Sequence, residues 1–300
     1  MQQRVLVSVV MITYGHEKYI RQAIEGVLMQ QGDFDLELVI ANDCSPDNTD
    51  AVVQDVLSHH SNAHWIRYVR HEKNIGMMPN FIFALQQAKG KYVALCDGDD
   101  YWIDPFKLQK QVDFLEVNSD YVIHSSGAKL IKDDILTEES IGFGKESKAF
   151  EITDFYRNNN LVSCTIMFRN VLHEFPDFYK KLAFGDWFLY ILLMHKTGGK
   201  SYRLNENLSA YRIHNTSAMA NLNDETFLSN HFALVIAIKK YLKLKSDNTE
   251  IINGINFYAL QYFSLIVRKN IYRAFKIFFE NFLHCGIKTP FKQYLVIIFK

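Results

Sequence analysis

Tyr92-Val93-Ala94-Leu95-Cys96-Asp97-Gly98-Asp99-Asp100-Tyr101-Trp102 joins an apolar run to three carboxylates packed into four residues. The run reads as a buried strand, which cannot hold that charge. The acids therefore sit beyond its C-terminal end, where open α/β sheets place ligands. Three like charges so close repel one another unless a cation neutralises them. Asp-x-Asp oxygen donors suit a hard divalent ion such as Mg2+ or Mn2+, which commonly shares its shell with phosphates. The same residues also read as a solvated acidic turn capping the next helix, since Asp-Gly is a frequent turn pair.

Upstream, Val5 to Ile12 is a continuous β-branched apolar run, which fits a central strand covered on both faces. It ends in the polar turn Thr13-Tyr14-Gly15-His16, before a helix with Ile20, Ile24, Val27 and Leu28 on one face. Leu36 to Ala41 reads as a second strand ending at Asn42-Asp43-Cys44-Ser45-Pro46. There Ser45 and Pro46 read as an N-cap and a first helical position. Val52, Val53, Val56 and Leu57 mark that helix, Trp65 to Val69 a third strand, and Phe81, Ile82, Leu85 and Ala88 a third helix that Gly90 stops.

Downstream, Leu108, Val112 and Leu115 mark another helix and Tyr121 to Ser126 another strand. Residues 132–150 have little periodicity and read as a mobile or acceptor-facing loop. Ser163 to Phe168 returns to strand character, and Phe184-Gly185-Asp186-Trp187 opens a helix that Gly198-Gly199 closes. Ser209 to His214 reads as a late extended segment.

Strand–helix alternation with short loops predicts an α/β fold, a parallel sheet with helices on both faces. Parallel strands all point one way, so Thr13-Tyr14, Asn42-Asp43 and Asp97 to Asp100 share one rim. A chance acidic turn would not give that convergence. Neither a G-x-G-x-x-G after the first strand nor a G-x-x-x-x-G-K-(S/T) is present, which weighs against dinucleotide oxidoreductases and P-loop enzymes. Carboxylates and a metal can still hold a nucleotide.

Composition sets the bounds. With 300 residues, 48% hydrophobic and 14% aromatic, the chain has ample material for one large α/β domain and an appendage. Its net charge of zero hides an asymmetry: residues 1–227 sum to −8 and residues 228–300 to +8. Cys44, Cys96, Cys164 and Cys285 are scattered without metal-ligand spacing, which fits free thiols in a reducing cytosol. A strand starting by Val5 leaves no room for a signal peptide, and no apolar run reaches the length of a membrane span.

Thr13-Tyr14, Asn42 to Thr49, Asn74-Ile75-Gly76, Gly90-Lys91-Tyr92, Asp97 to Asp100, Gly185-Asp186-Trp187 and Tyr211-Arg212-Ile213-His214 occur in that order. Together they resemble the family 2 inverting glycosyltransferases with the GT-A fold, over residues 5–220. The resemblance implies that Thr13, Tyr14 and Asp43 hold the base and ribose of a nucleotide, usually uridine. Asp97 would contact the ribose or sugar, and Asp99, the acid of the DXD motif, would bind Mn2+ or Mg2+ on the diphosphate. Asp186 would be the catalytic base, His214 a further metal or phosphate contact and Arg212 its neighbour at the nucleotide sugar. Two departures stand out: Gly185 takes the place of a frequent Glu, and Asn42 that of a frequent acid. Read without the family, Asp186 is an N-cap and His214 a surface histidine.

The expected architecture is a GT-A domain over 1–220, a mostly parallel central sheet with helices on both faces, and a helical C-terminal extension over 221–300. The expected function is transfer of a hexosyl or N-acetylhexosaminyl group from a nucleotide-diphosphate sugar, a UDP-sugar in most of the family, with inversion. The acceptor would be a hydroxyl of a glycan or lipid-linked molecule, in bacterial cell-surface polysaccharide or lipopolysaccharide synthesis. Two other readings stay open: a nucleotidyltransferase making nucleotide sugars, and a non-catalytic module binding nucleotide sugar or membrane. Nucleic acid is a poor fit, because the basic residues of the tail lie among large apolar ones. That basic, aromatic tail suits an anionic membrane surface through residues 228–300, which would place the protein in the cytoplasm at the inner face of the membrane; it also reads as a helical appendage packing on the catalytic domain or forming a dimer contact.

Overall fold

The structure is a computed structural model that describes residues 5–142, 144, 146–215, 217, 222–245 and 247–298. These fall into two compact units. One comprises Met1–Phe150, Asn160–Lys181 and Leu192–His214, the other Glu151–Asn159, Leu182–Ile191 and Asn215–Lys300.

The first unit begins with β1 (Val5–Thr13), α1 (Ile20–Leu28), β2 (Phe34–Asn42), α2 (Thr49–His59), β3 (Ile66–Arg70), α3 (Met77–Gln87) and β4 (Tyr92–Leu95). The strands β3-β2-β1-β4 are parallel throughout, and their sequence order across the sheet reverses between β1 and β4. Val7, Val9 and Met11 have no exposed surface and Val10 almost none, as a strand covered on both faces requires. Ser8 is the polar exception in that strand. Its hydroxyl accepts the Gly90 amide at 2.7 Å, so the buried oxygen is satisfied. A Cβ on Gly90 would lie 2.6 Å from both the Leu6 oxygen and the Ser8 nitrogen, so this approach of loop to strand needs glycine.

Beyond β4 the sheet is mixed. β5 (Tyr101–Trp102), α4 (Lys107–Val117), β6 (Tyr121–Lys132), β7 (Ile135–Ile141), β8 (Lys148–Phe150), β9 (Met167–Arg169) and β10 (Lys200–Ile213) follow. β9 runs antiparallel to β4 and β6, whereas β10 pairs with β6 in parallel. Residues 132–150, read from sequence as a loop, instead form a hairpin strand and a short edge strand. The turn is Asp133-Asp134, both at positive φ (50° and 61°), which suits a tight two-residue hairpin. Ser45-Pro46 does not start α2; Asn48 precedes it, and Ser45 has another task described below.

Lys107, at the start of α4, has no exposed surface. Its ammonium lies 4.1 Å from the Trp102 ring centroid and donates to Gln111 Oε1 at 2.7 Å. Burial lowers its pKa to about 7. The unfolded lysine still binds its proton there, so the burial penalty is fully felt below pH 7 and lifts as pH rises toward 10.5. Lys107→Met should therefore raise stability near pH 6, by up to about 5 kcal/mol on the size of that shift, and flatten its rise with alkali. Urea unfolding at pH 6 and pH 9 reads both effects.

In the second unit, α5 (Gly185–Thr197) contributes its first turns, followed by α6 (Asp224–Tyr241), α7 (Thr249–Ile266), α8 (Ile271–Cys285) and α9 (Phe291–Ile298). Asn223, Asn248 and Asn270 cap α6, α7 and α8, each side chain accepting the amide three residues on. The dense apolar stretch Phe257–Phe282 is thus two helices. α7 buries Ile251, Ile255, Tyr258, Phe263 and Ile266, while much of the aromatic surface of α8 faces solvent. Among the described residues no helix is long and apolar enough to cross a membrane.

Candidate active site

The C-terminal ends of β1, β2 and β4 meet at the rim where strand order reverses, the usual place for a ligand in an open α/β sheet. The Asp43 amide donates to the Thr13 oxygen and the Gly98 amide to the Ile12 oxygen, both at 3.0 Å. Three of the polar clusters singled out in the sequence are thereby brought side by side. Gly98 is packed so closely that a Cβ there would lie 2.8 Å from Thr13 Oγ1. Tyr14 is half exposed on the same rim, and Asp97 is partly buried.

The run after β2 explains its own composition. Asn42 Oδ1 accepts from the Ser45 amide and hydroxyl, and its Nδ2 donates to Tyr68 Oη at 2.8 Å, which in turn donates to Asp50. Only an amide both accepts and donates in this way, so an acid at 42 would leave Tyr68 without its donor. Asp43 accepts the Ile75 and Gly76 amides at 2.7 and 2.9 Å, which ties the Asn74-Ile75-Gly76 turn to the rim. Ser45, Thr49 and Asp47 accept the amides of Gly15, His16 and Glu17 in turn. The loop that carries His16 is therefore fixed by side chains some 30 residues away in sequence.

His16 is the site residue the sequence reading missed. One donor atom each from His16, Asp99 and His214 lie within 4.8 Å of one another. His214 Nε2 is 3.0 Å from Asp99 Oδ2 and His16 Nε2 is 3.7 Å from the same oxygen. Burial lowers the pKa of His16 against the pull of Asp99, keeping the ring in the neutral form that ligates metal. Burial alone would raise the Asp99 carboxyl, but the His214 hydrogen bond and the two imidazoles leave it below its ordinary value. Asp100 differs: burial, with the neighbouring Asp99 charge, pushes it well up, and its carboxyl accepts the Arg212 amide at 2.8 Å.

The cluster fits a divalent cation. A carboxylate and two imidazoles converge, and buried Thr13 Oγ1 and His16 Nδ1 have no hydrogen-bond partner among the described residues. Two nitrogen donors move the preference from Mg2+ toward a transition ion such as Mn2+.

Arg212 lies beside this cluster and is almost fully buried. Its Nε donates to the Asp99 backbone oxygen, Nη1 to Asp134 and Nη2 to Gln22 Oε1, at 2.7–3.0 Å, and its guanidinium covers the Tyr19 ring. The fork thus joins β10 to the Asp99 loop, to the β6–β7 turn and to α1. Lysine cannot reproduce a fork with three separate acceptors. Arg212→Lys should cost about 1.5–3 kcal/mol of stability, which urea unfolding measures.

Asp186 belongs to the second unit, one residue into α5. Asn159 Nδ2 donates to its Oδ2 at 2.8 Å, and Trp187 Nε1 anchors the turn on the Phe155 oxygen. Burial raises the Asp186 carboxyl despite the Trp187 amide and Asn159, which favour its charged form. Asn159 was not legible in sequence, lying in the unpatterned Arg157-Asn158-Asn159-Asn160.

The family described as "Glycosyl transferase family 2" matches residues 8–175. An uncharacterised Mycobacterium tuberculosis protein is 30% identical over 207 residues, 69% of this chain and 58% of its own, so the chain spans under two thirds of that relative's length. The Bacillus subtilis protein TuaG, a candidate teichuronic acid biosynthesis glycosyltransferase, is 29% identical over 219 residues, 72% of this chain and 82% of its own. Among solved structures, S. aureus TarS (residues 1–349) with UDP-GlcNAc superposes with a TM-score of 0.60 at 17% identity, covering 96% of this chain and 91% of that one. A mannosyltransferase from Pyrobaculum calidifontis, with GDP-Man and Mn2+, gives 0.57 at 14% identity, covering 99% and 88%. These neighbours share the GT-A fold, with a mostly parallel central sheet and helices around it. Its sheet, its rim of acids and more than half its sequence agree: the chain belongs to glycosyl transferase family 2.

Proposed function

We propose that this chain is a metal-dependent inverting glycosyltransferase that moves a hexosyl or N-acetylhexosaminyl group from a nucleotide-diphosphate sugar, a UDP-sugar by preference, to a hydroxyl. The observation that carries the reading is the convergence of His16, Asp99 and His214 on the rim where the strand order reverses between β1 and β4. Neighbours of the same fold are described with UDP-GlcNAc and with GDP-Man and Mn2+, which supports a nucleotide sugar here.

In this reading residues 1–220 form the transferase domain and 221–300 a helical extension. Asp99, His16 and His214 hold a Mn2+ or Mg2+, which when bound supplies Lewis-acid stabilisation of the leaving diphosphate. Thr13, Tyr14 and Asp43 receive the nucleoside, and Asp97 faces the ribose or sugar. Arg212 positions Asp99 from behind. Asp186 takes the proton of the attacking hydroxyl. A carboxyl raised by burial is a better proton acceptor near neutral pH than an ordinary one. Direct attack on the anomeric carbon needs one base and inverts the configuration. The acceptor class is a glycan or lipid-linked molecule of the bacterial cell surface, with residues 228–300 toward the inner face of the membrane. TuaG, named for teichuronic acid biosynthesis, supports that class.

The test is thermal unfolding with UDP, dTDP, GDP and CDP, each with and without Mn2+. A nucleotide at 100 times its Kd adds about 2.7 kcal/mol. Stabilisation by one nucleotide that requires Mn2+ supports the reading; no stabilisation of the folded protein by any of the four removes it.

A further inference from the structure

The inner face of α8 is complete: Ala274, Ile277, Asn281 and Cys285 are buried against the other tail helices. At about 100° per residue, Tyr272, Phe275, Phe279 and Leu283 form a second apolar arc on the opposite side of the helix, and this arc faces solvent. Tyr272 is 86%, Phe279 58% and Leu283 79% exposed. α9 extends the surface. The Phe278 ring centroid lies 5.5 Å from those of both Phe279 and Phe291, so the two helices share one continuous aromatic patch. Leu295 carries it on, and Ile287 in the connecting turn is 95% exposed. A soluble chain rarely leaves so much contiguous apolar surface bare without a partner for it.

We propose that this α8–α9 face docks on an anionic lipid bilayer. Its aromatic and aliphatic side chains enter the interface, and the basic residues around them meet the headgroups. Charge selects the occupant. Residues 228–300 hold 11 Lys and Arg against 3 Asp and Glu. Arg273 pairs with Glu225 at 2.7 Å, but Arg268, Lys269, Lys276 and Lys292 have no carboxylate partner among the described residues. A second copy would bring the same excess positive charge to the same face, whereas anionic headgroups complement it. No described helix is long and apolar enough to span, so the helices lie along the surface, as amphipathic interfacial helices do. The proposal rests on the transferase reading only for its purpose, bringing the sugar site to a lipid-borne acceptor.

Flotation of the full chain with phosphatidylcholine vesicles, with and without phosphatidylglycerol, tests it. The chain should co-float with anionic vesicles, much less with neutral ones, and less as salt is raised. Phe279→Glu with Leu283→Glu should reduce the anionic binding about tenfold or more. Tyr272→Ser with Ile287→Ser, at two side chains almost wholly in solvent, should weaken it without any core contact to lose. Absence of flotation, equal flotation on both vesicles, or a stable dimer that these substitutions dissolve would overturn the proposal. Nucleotide stabilisation is measured alongside. Its loss with flotation intact removes only the transferase reading; flotation lost with stabilisation intact removes only the docking face.

Discussion

Asp99→Ala should lower transferase turnover by about 10³-fold or more, because it removes the one carboxylate of the three-residue cluster. The unliganded variant should still unfold cooperatively. Asp99 is partly buried at a rim, and its backbone oxygen, the acceptor of Arg212 Nε, survives the change. The Mn2+-dependent stabilisation by nucleotide should vanish, a difference of about 2.7 kcal/mol at 100 times Kd. His16→Ala separates this account from one in which Asp99 acts alone. It should weaken the Mn2+ dependence as well, since His16 Nε2 approaches the same oxygen as His214. Full Mn2+-dependent stabilisation in both variants would refute the cluster.

Asp186→Asn should cut kcat by about 10²–10⁴-fold while nucleotide stabilisation is unchanged. The pH dependence follows from the direction of the shift. Burial raises the Asp186 carboxyl above 3.8, so the base stays protonated to a higher pH than a free carboxylate and activity rises as pH passes through that raised value. Asn159 favours the charged form, and Asn159→Ala should move the acid limb of the pH–rate profile to still higher pH. A merely structural role for Asn159 would lower activity without moving the limb. The same sign governs stability: an ionised, partly buried Asp186 works against the fold above its unfolded pKa, so the neutral Asp186→Asn variant should melt no lower at pH 8.

The elements that were legible in the sequence are those whose burial is one-sided or complete. β4, and β1 apart from Ser8, are apolar runs because both faces are covered, and the spacing of Ile20, Ile24 and Val27 matches the buried face of α1. β7 was not legible. Its residues are mostly exposed, so no alternation marks it, and it exists because it pairs with β6 beyond the Asp133-Asp134 turn. Asp99 and His214 were legible through the order of motifs. His16 was not, because nothing in one dimension relates a histidine in a polar turn to residues 99 and 214. Arg212 stood out as a position, but its partners came only with the fold. Its guanidinium nitrogens are engaged by Asp99, Asp134 and Gln22, which lie on three other segments.

The late place of β10 in the chain has a consequence for assembly. His16 and Asp99 are made early and lie within the segment 8–175 that matches the family, but Arg212 and His214 come at the end of β10. β10 pairs with β6 in parallel, a contact between strands about 80 residues apart that must close a long loop first. During synthesis His16 and Asp99 emerge well before their partners, and the cluster can close only once residue 214 has emerged. A chain ending near residue 175 would carry His16 and Asp99 but lack Arg212 and His214, so the three-residue cluster is among the last features of the first unit to be completed.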